Sequence, residues 1–340
     1  MIKNTDPRIQ KYLTPYKYGK PVLEGSGLEG AFDCCAVDIP FVFYHNRQFY
    51  MMYSGFSGRG YQTALAVSGN LLDWKHKAVI LGPAGEGRWD SVGAAGTWII
   101  KESDDLFQTP VLKKIGGKYW MVYHSYPENG YEAGPAEIGL AWTEDEELLR
   151  WNRLDKPVFS WRDGEYWERG GLYKACIVQK EGTYFMYYNA KTPIRSWIEQ
   201  TGAAISKDLL HWTRCEQNPL LKVTEEGWDT KFLSDPCVVR DGELWLNYYF
   251  AYDMNHAQDG LALSTDLLHW DKVEDPIVPN GAAGTLDETH AHKASIVYYE
   301  GRLYHFYCAV RPFREGDKTN IYNEYRTITV ACSHSFETIE

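Results

Sequence analysis

The chain has 340 residues, 15% of them aromatic, and a formal net charge of −11 at pH 7. The acidic balance argues against nucleic acid or an anionic membrane as partner, because phosphate groups are bound by basic patches. The length suits two domains or one all-β domain of repeated units, and the aromatic excess suits strand faces and stacking on sugar rings.

The first 30 residues show no apolar signal region, and no run of about 18 apolar residues occurs anywhere. The seven cysteines lack regular spacing, and Cys176, Cys237 and Cys308 stand inside apolar segments. This pattern predicts buried reduced thiols rather than disulfides or zinc ligands. We therefore expect a cytoplasmic protein, although a secreted protein with a trimmed signal gives the same pattern.

One phrase recurs along the sequence as an apolar segment, a short polar turn and a Trp. Its full copies are Leu65–Trp74, Leu140–Trp151, Ala203–Trp212 and Leu261–Trp270, and Val330–Phe336 is a truncated fifth copy. Each copy predicts a strand that ends in a turn in which Ser and Asp side chains bond the local backbone. The Trp then enters a further strand.

An aromatic hairpin precedes each copy. The five predicted hairpins are Phe41–Tyr53, Val111–Tyr123, Cys176–Tyr188, Cys237–Tyr249 and Ile296–Tyr307. Each unit is then a four-stranded antiparallel sheet of roughly 60 to 70 residues, which is typical of a propeller blade. The expected fold is an all-β five-bladed β-propeller, a single domain over 1–340, whose ring is closed by an N-terminal segment, 1–30. Residues 93–106 have no place in this pattern and are either an insertion or an extra strand.

In a propeller the first strand of each blade lines a central channel. Alignment of the hairpins predicts that Asp38, Asp235 and His292 open these strands at equivalent places, together with Thr109 in blade 2 and Tyr173 or Lys174 in blade 3. A Pro shortly after Asp38 and after Asp235 restricts the local backbone. Two carboxylates and an imidazole would then converge on one axis.

A second phrase, an aromatic residue followed by an acid, precedes several openings: Phe32-Asp33, Trp89-Asp90, Trp167-Glu168 and Trp228-Asp229. One interpretation is that Asp33, Asp90 and Glu168 bind sugar hydroxyls while a ring such as Trp167 stacks on the sugar. The other is that the rings pack the blades and the acids cap turns.

The densest polar cluster runs from Asp287 to Lys293 and includes Glu288, His290 and His292. The two histidines share one face of an extended segment, so they suit either a sugar or a channel-bound divalent cation such as Ca²⁺. Our expectation is that these residues, with Tyr173, Lys174 and Lys293, contact substrate, and that no metal or other cofactor is required.

Paired carboxylates at a channel mouth favour cleavage of glycosidic bonds, in which one group protonates the leaving oxygen and the other activates water. The five repeats, the Asp38-x-Pro opening and the Ser-x-Asp-Leu-x-x-Trp phrases resemble the five-bladed glycoside hydrolases of family 43 and its relatives, families 32, 62, 117 and 130. The resemblance covers nearly the whole sequence. It implies an exo-acting, inverting glycoside hydrolase that releases a terminal sugar from an oligosaccharide.

Carried over by position, the resemblance implies that Asp38 is the general base. Family 43 places its pKa-tuning Asp on blade 3 and its acid, a Glu, on blade 4, and this sequence departs from both. The pattern of family 117 is nearer, and it implies that Asp235 tunes the pKa and that His292 is the acid. The N-terminal helical segment that family 117 exchanges between subunits has no counterpart here, so its substrate is not carried over.

Two alternatives stay open. A phosphorylase of the family 130 type requires a basic phosphate site, for which Lys174, Lys293 and Arg311 are candidates. A non-catalytic carbohydrate-binding propeller would keep the channel and the aromatic rings without a working acid.

Overall fold

The computed structural model describes residues 1–338, whose regular secondary structure is almost entirely β-strand. In this part of the protein the strands form five consecutive antiparallel units, the last three of which are joined into one 12-stranded sheet by single parallel residue pairs. Unit 1 contains β2 (Ala36–His45), β3 (Gln48–Phe56), β4 (Tyr61–Ser68) and β5 (Lys75–Leu81). Unit 2 contains β6 (Ala95–Ile99), β7 (Lys114–Ile115), β8 (Lys118–Ser125), β9 (Glu137–Thr143) and β10 (Asn152–Arg153). Unit 3 contains β11 (Leu172–Lys180), β12 (Thr183–Lys191), β13 (Glu199–Ser206) and β14 (Thr213–Arg214).

Unit 4 contains β15 (Phe232–Asp241), β16 (Leu244–Tyr252), β17 (Ala257–Ser264) and β18 (Asp271–Lys272). Unit 5 contains β19 (His290–Tyr299), β20 (Arg302–Pro312), β21 (Glu324–Cys332) and, from the start of the sequence, β1 (Tyr16–Lys17). The helical segments are short 3₁₀ turns at Gln10–Tyr12, Trp161–Asp163, Tyr166–Glu168 and Phe336–Thr338. Among residues 1–338, no helix has the length and apolar content needed to cross a bilayer.

The predicted polar turns are confirmed. In unit 3 the Ser206 hydroxyl accepts hydrogen bonds from the Asp208 and Leu209 backbone N–H groups at 3.1 and 3.0 Å. The Trp212 indole N–H donates to the Leu209 carbonyl at 2.7 Å. These local bonds reverse the backbone direction from the third strand to the fourth. Unit 4 repeats the two bonds to the hydroxyl at Ser264, whereas its Trp270 indole N–H has no hydrogen-bond partner within residues 1–338.

Unit 2 departs from the predicted alignment. Its innermost strand is β6, which pairs with β8, so residues 93–106 contain a strand rather than only an insertion. Thr109 lies in the segment that joins β6 to β7 and does not open an inner strand, which makes its predicted place wrong. The hairpin at Val111–Tyr123 includes only the two-residue β7 on its first side, because β6 already occupies the edge of β8.

Each unit places a Tyr, an acid and a basic residue at corresponding positions. The basic residue is the second residue of the outermost strand and pairs with an Ala of the repeated phrase: His76 with Ala66, Arg153 with Ala141, Arg214 with Ala204, Lys272 with Ala262 and Lys17 with Ala331. In unit 3 the Tyr188 hydroxyl and Arg214 Nε lie 2.8 and 2.9 Å from the Glu168 carboxylate. Unit 2 repeats this contact with Tyr123, Asp90 and Arg153.

The N-terminal segment completes unit 5. Strand β1 pairs with β21, and Leu23 makes a further bridge to Ile328. Lys17 Nζ lies 2.6 Å from Asp287 Oδ2, and the Tyr307 hydroxyl donates to the same atom at 2.9 Å. Lys17 therefore takes the place that Arg153 and Arg214 have in their units.

Lys17→Met should lower the free energy of unfolding by about 2 kcal/mol, because it leaves the buried Asp287 carboxylate without its cation. Urea unfolding measures the effect. Lys20→Met, at an exposed neighbouring position, is the control and should change stability little. Equal stability of the Lys17→Met variant and the control would contradict a stabilising role for this ion pair.

Candidate active site

A cavity of about 810 Å³ opens where the inner strands of all five units meet. Its lining includes Ile39 of unit 1, His124 of unit 2, Lys174 of unit 3, Asp235 of unit 4 and His292 of unit 5. The cavity therefore lies at the place where the sequence predicted that the strand openings converge.

A β-bulge sets the direction of the side chains at this place. In four inner strands the pairing register shifts at one residue with left-handed backbone: Ile39 (φ 53°), Lys174 (φ 43°), Asp235 (φ 55°) and Lys293 (φ 72°). Such bulges re-aim a side chain and are frequent beside functional sites. Asp38 and His292 lie one residue before the left-handed residue of their strands, whereas Asp235 is itself the left-handed residue. The predicted equivalence of Asp235 with Asp38 and His292 is therefore wrong by one residue.

Asp38 is buried and is not one of the residues that line the cavity. Its Oδ2 atom accepts from Lys293 Nζ at 2.8 Å and Arg326 Nη1 at 3.3 Å, and from the Tyr131 and Tyr61 hydroxyls at 3.2 and 3.3 Å. Burial acts to raise its pKa, but the two cations outweigh burial and hold the pKa far below its usual range. A carboxylate with this low pKa and four donors on one oxygen is a weak base, which argues against the predicted role of Asp38.

Asp235 lies in a different environment. The Asn189 side chain donates to Asp235 Oδ1 at 2.6 Å and accepts from the Asp235 backbone N–H at 2.7 Å, which clamps the left-handed residue. Asp235 Oδ2 is closed to solvent and has no hydrogen-bond partner within residues 1–338. Burial raises the pKa of Asp235 to about 7, against the opposing charges of Lys293 and Lys174. The neutral carboxyl is therefore well populated near neutral pH.

Two further carboxyls reach the cavity, and the sequence did not single them out. Glu199 is 7% exposed and accepts from the Ser234 hydroxyl at 2.8 Å and the Trp197 indole at 3.0 Å. Burial, aided by the negative charge of Glu132, raises the pKa of Glu199. The Glu132 side chain is 32% exposed and lies 3.5 Å from Lys293 Nζ. The pair thus joins a buried carboxyl whose pKa is raised with a partly exposed carboxyl beside a cation.

A pattern at the start of the third strands marks Glu199. The corresponding glutamates of units 2 and 5 form ion pairs, Glu137 with Arg162 and Glu324 with Arg326. Glu199 has no such cation within the described residues, and its partners are a hydroxyl and an indole. The signal available in the sequence was only an acid at the start of an apolar strand, which does not distinguish these three positions.

The three imidazoles of the cavity are neutral at pH 7. Burial is the main cause: it lowers the pKa of His124 and His290 to about 3, with added repulsion from Lys293 and Arg326 respectively. Burial and Lys293 likewise hold the pKa of His292 well below its usual value, and its Nδ1 bonds the Cys308 carbonyl at 3.1 Å. A neutral imidazole has no acidic proton of suitable strength, which argues against His292 as the acid.

Of the other predicted contacts, Tyr173, Lys174, His290 and Lys293 line the cavity. Lys174 is 4% exposed, and its ammonium makes no hydrogen bond or ion pair within residues 1–338. Arg311 lies outside the lining and forms a two-point ion pair with Asp317 at 2.7 and 2.6 Å. The basic site predicted for phosphate therefore loses one of its three members.

Five predicted sugar contacts lie elsewhere. Asp90 and Glu168 bind the Tyr and Arg of their own units, and Trp167 stacks on Tyr188 at 6.1 Å, so the packing interpretation holds for them. Glu288 pairs with Arg314 at 2.9 Å. Asp33 lines a separate cavity. Their prediction as contacts of the central site is wrong because the repeated phrase faces the interior of each unit and not the channel.

The rim of the cavity is aromatic. Trp197, 38% exposed, stacks on Phe232 with ring centroids 6.2 Å apart and an interplanar angle of 15°. Tyr252 continues this surface at 5.1 Å from Phe232. Exposed rings beside a carboxyl-lined cavity are suited to sugar stacking. Within residues 1–338, no group of three or more His, Cys, Asp and Glu side chains has an arrangement that would hold a metal ion.

An all-β protein of consecutive sheet units around a carboxyl-lined cavity has the architecture of glycosidase-type enzymes, and solved structures of this class resemble it over nearly its full length. The family model for the glycosyl hydrolases family 32 N-terminal domain matches residues 108–289, more than half of the sequence. The protein belongs to this family.

The protein is also similar to individual carbohydrate-related proteins. The solved structure of a BT0996 complex with RGII is 28% identical, with a TM-score of 0.81 over 97% of this protein and 94% of that one. A structure described as "Glycoside hydrolase" is 27% identical, with a TM-score of 0.80 over 98% and 96%. A 1,2-beta-oligomannan phosphorylase from Thermoanaerobacter sp. is 30% identical over 134 residues, which span 37% of this protein and 45% of that one.

The raised pKa of Asp235 predicts a pH-dependent stability. Between about pH 4 and about pH 7 the Asp235 carboxyl is protonated in the folded protein and ionised in the unfolded state. Rising pH should therefore destabilise the wild-type protein relative to Asp235→Asn, by up to about 1.4 kcal/mol per pH unit. Urea unfolding across this range measures the difference. Asp275→Asn, an exposed change in unit 4, is the control, and a pH-independent difference for Asp235→Asn would contradict the buried proton.

Proposed function

We propose that the protein is an exo-acting, inverting glycoside hydrolase that releases a terminal sugar from an oligosaccharide, on one five-bladed propeller domain closed by its N-terminal segment. The observation that carries the proposal is the pair of Glu199 and Glu132 at the cavity. Their environments separate an acid from a base, as general acid–base cleavage of a glycosidic bond requires. Family membership and the aromatic rim support a carbohydrate substrate.

In the proposed reaction Glu199 donates its proton to the glycosidic oxygen as the bond from the anomeric carbon to that oxygen breaks. Water attacks the anomeric carbon from the opposite face, and Glu132 takes the proton that this water loses. The products are the free sugar and the shortened oligosaccharide. Glu132 and Glu199 then exchange their protons with solvent, which restores the starting state.

The floor of the cavity supports the exo mode. Asp38, Lys293 and Arg326 form a buried ionic layer there, so the end of an oligosaccharide fits above it and a continuous polysaccharide does not. We assign Asp38 a positioning role in place of the predicted base, since it holds both cations. Asp235 keeps its predicted role as the group that tunes pKa values in the site. Neutral His292 is suited to accept a hydrogen bond from a sugar hydroxyl.

Inversion is proposed because the resemblance to family 43 and its relatives implies it. Tyr173 lies beside Glu199 and also feels the Glu132 charge. Inverting enzymes separate the two carboxyls by about 6.5–9.5 Å to admit water.

A phosphorylase is the second candidate, and two observations favour it. The oligomannan phosphorylase is a relative by sequence, and the Lys174 ammonium is unpaired within the described residues. Phosphate would then replace water as the nucleophile. Against this, Lys293 and Arg326 already form ion pairs with Asp38, and further pairs with Glu132 and Glu324 respectively.

Glu199→Gln and Glu132→Gln should each lower kcat by about 10²–10⁴-fold with little change in Tm, because each removes a proton transfer and keeps the side-chain shape. Assays on a panel of oligosaccharides and aryl glycosides measure this loss. Glu128→Gln, an exposed change on the Glu132 loop, is the control and should keep full activity. Near-normal kcat in both test variants would reject the pair, and wild-type binding without any released sugar would favour a binding propeller.

NMR of the first product should show the anomer opposite to that of the substrate, and the rate should be independent of added phosphate. A product with retained configuration would contradict inversion. A sugar 1-phosphate that forms only with phosphate present would identify the phosphorylase instead.

A further inference from the structure

Unit 1 contains a second cavity, of about 580 Å³, between its outer strand and the segment 21–28 that closes the ring. Its lining includes Phe32, Asp33, Tyr53, Trp74 and His76. No step of the proposed hydrolysis uses these residues. The cavity lies where unit 1 breaks the pattern that the other four units share.

In units 2 to 5 the acid of this position is bound by a cationic side chain of the outermost strand. The four acid–cation pairs are Asp90–Arg153, Glu168–Arg214, Asp229–Lys272 and Asp287–Lys17. In units 2 to 4 a Trp beside the acid also stacks on the Tyr of the unit, with interplanar angles of 24°, 20° and 13°. An ammonium or guanidinium group bound to the acid is thus the regular content of this position.

Unit 1 has neither the cation nor the Trp. His76 stands where the other units have Arg or Lys, and its Nδ1 lies 2.9 Å from the Tyr53 hydroxyl instead of bonding the acid. Phe32 replaces the Trp and is tilted by 51° from Tyr53, with centroids 6.0 Å apart. The smaller ring and the shorter basic side chain leave the cavity open.

The acid itself remains. Asp33 is 7% exposed, its Oδ1 accepts from the Ser26 hydroxyl at 2.6 Å, and its Oδ2 has no hydrogen-bond or ion-pair partner within residues 1–338. A largely buried carboxylate with one free oxygen and aromatic neighbours is complementary to an organic cation, through a charge-assisted hydrogen bond and cation–π contact.

We propose that this cavity is a binding site for a small molecule that carries a protonated amine or guanidinium group. The ligand cation occupies the place that Arg or Lys fills in the other four units and bonds Asp33 Oδ2. Its hydrocarbon part packs against Phe32 and Trp74. The site is separate from the central cavity and does not depend on the proposed hydrolysis.

Calorimetric titration with agmatine, which carries both a guanidinium and an amine, tests the site. Wild-type protein should bind agmatine, and Asp33→Asn should weaken binding about tenfold or more, because it removes the charge and keeps the shape. Asp73→Asn, an exposed acid change in the same unit, is the matched control and should bind as wild type does. His76→Arg restores the missing cation and should both abolish this binding and raise Tm.

Three results would overturn the proposal. The first is no heat of binding for agmatine at millimolar concentration. The second is equal affinity in wild type, Asp33→Asn and His76→Arg, which would place agmatine elsewhere. The third is binding of methyl β-glucoside that depends on Asp33 while agmatine does not bind, which would identify a neutral sugar site. If Asp33→Asn does not fold, agmatine binding is compared between wild type and His76→Arg, and equal affinity in these two proteins overturns the proposal.

Discussion

The cavity depends on the buried ionic cluster in which Asp38 binds Lys293 and Arg326. Burying a cation without a partner is costly, so these two groups are stable at the cavity because Asp38, together with Glu132 and Glu324, compensates their charge. The negative charge of Asp38 therefore acts mainly on these two cations. Asp235, which lacks such a partner, retains its proton to about pH 7. The distribution of cations at the floor thus determines which carboxyls stay ionised and which do not.

The five units share one framework, and the candidate functions lie where a unit departs from it. Glu199 differs from Glu137 and Glu324 in having no cation, and it faces the central cavity. Asp33 differs from the acids of the other units in the same way and faces the second cavity. Repetition stabilises the fold, since each acid–cation contact ties a loop to an outer strand. An acid that lacks a cation partner, such as Glu199 or Asp33, is available to bind a substrate or another ligand.

Much of the fold was predictable because the repeats carry local signals. The Ser206 turn and its Trp212 contact follow from short polar side chains and spacing, and the aromatic hairpins follow from alternation. The placement of β6 was missed because a long segment separates it from β8. Glycosidase-type family membership was also predictable, as the family match shows.

The site was only partly predictable. Convergence of the inner strands follows from the repeat, but a bulge shifts Asp235 by one residue, and hairpin alignment does not detect bulges. Ionisation depends on burial and on partners from other units, so the sequence alone did not show that Asp38 is fully engaged or that His292 is neutral. Glu132, on a loop outside the repeat, carried no signal.

The most direct measurement is a crystal structure of the Glu199→Gln variant with an oligosaccharide bound. We expect a terminal sugar beside Lys293, with the glycosidic oxygen within hydrogen-bond distance of the residue 199 side chain and Glu132 on the opposite face of the anomeric carbon. A glycosidic oxygen that instead contacts His292, with Asp38 exposed to the attacking water, would contradict it.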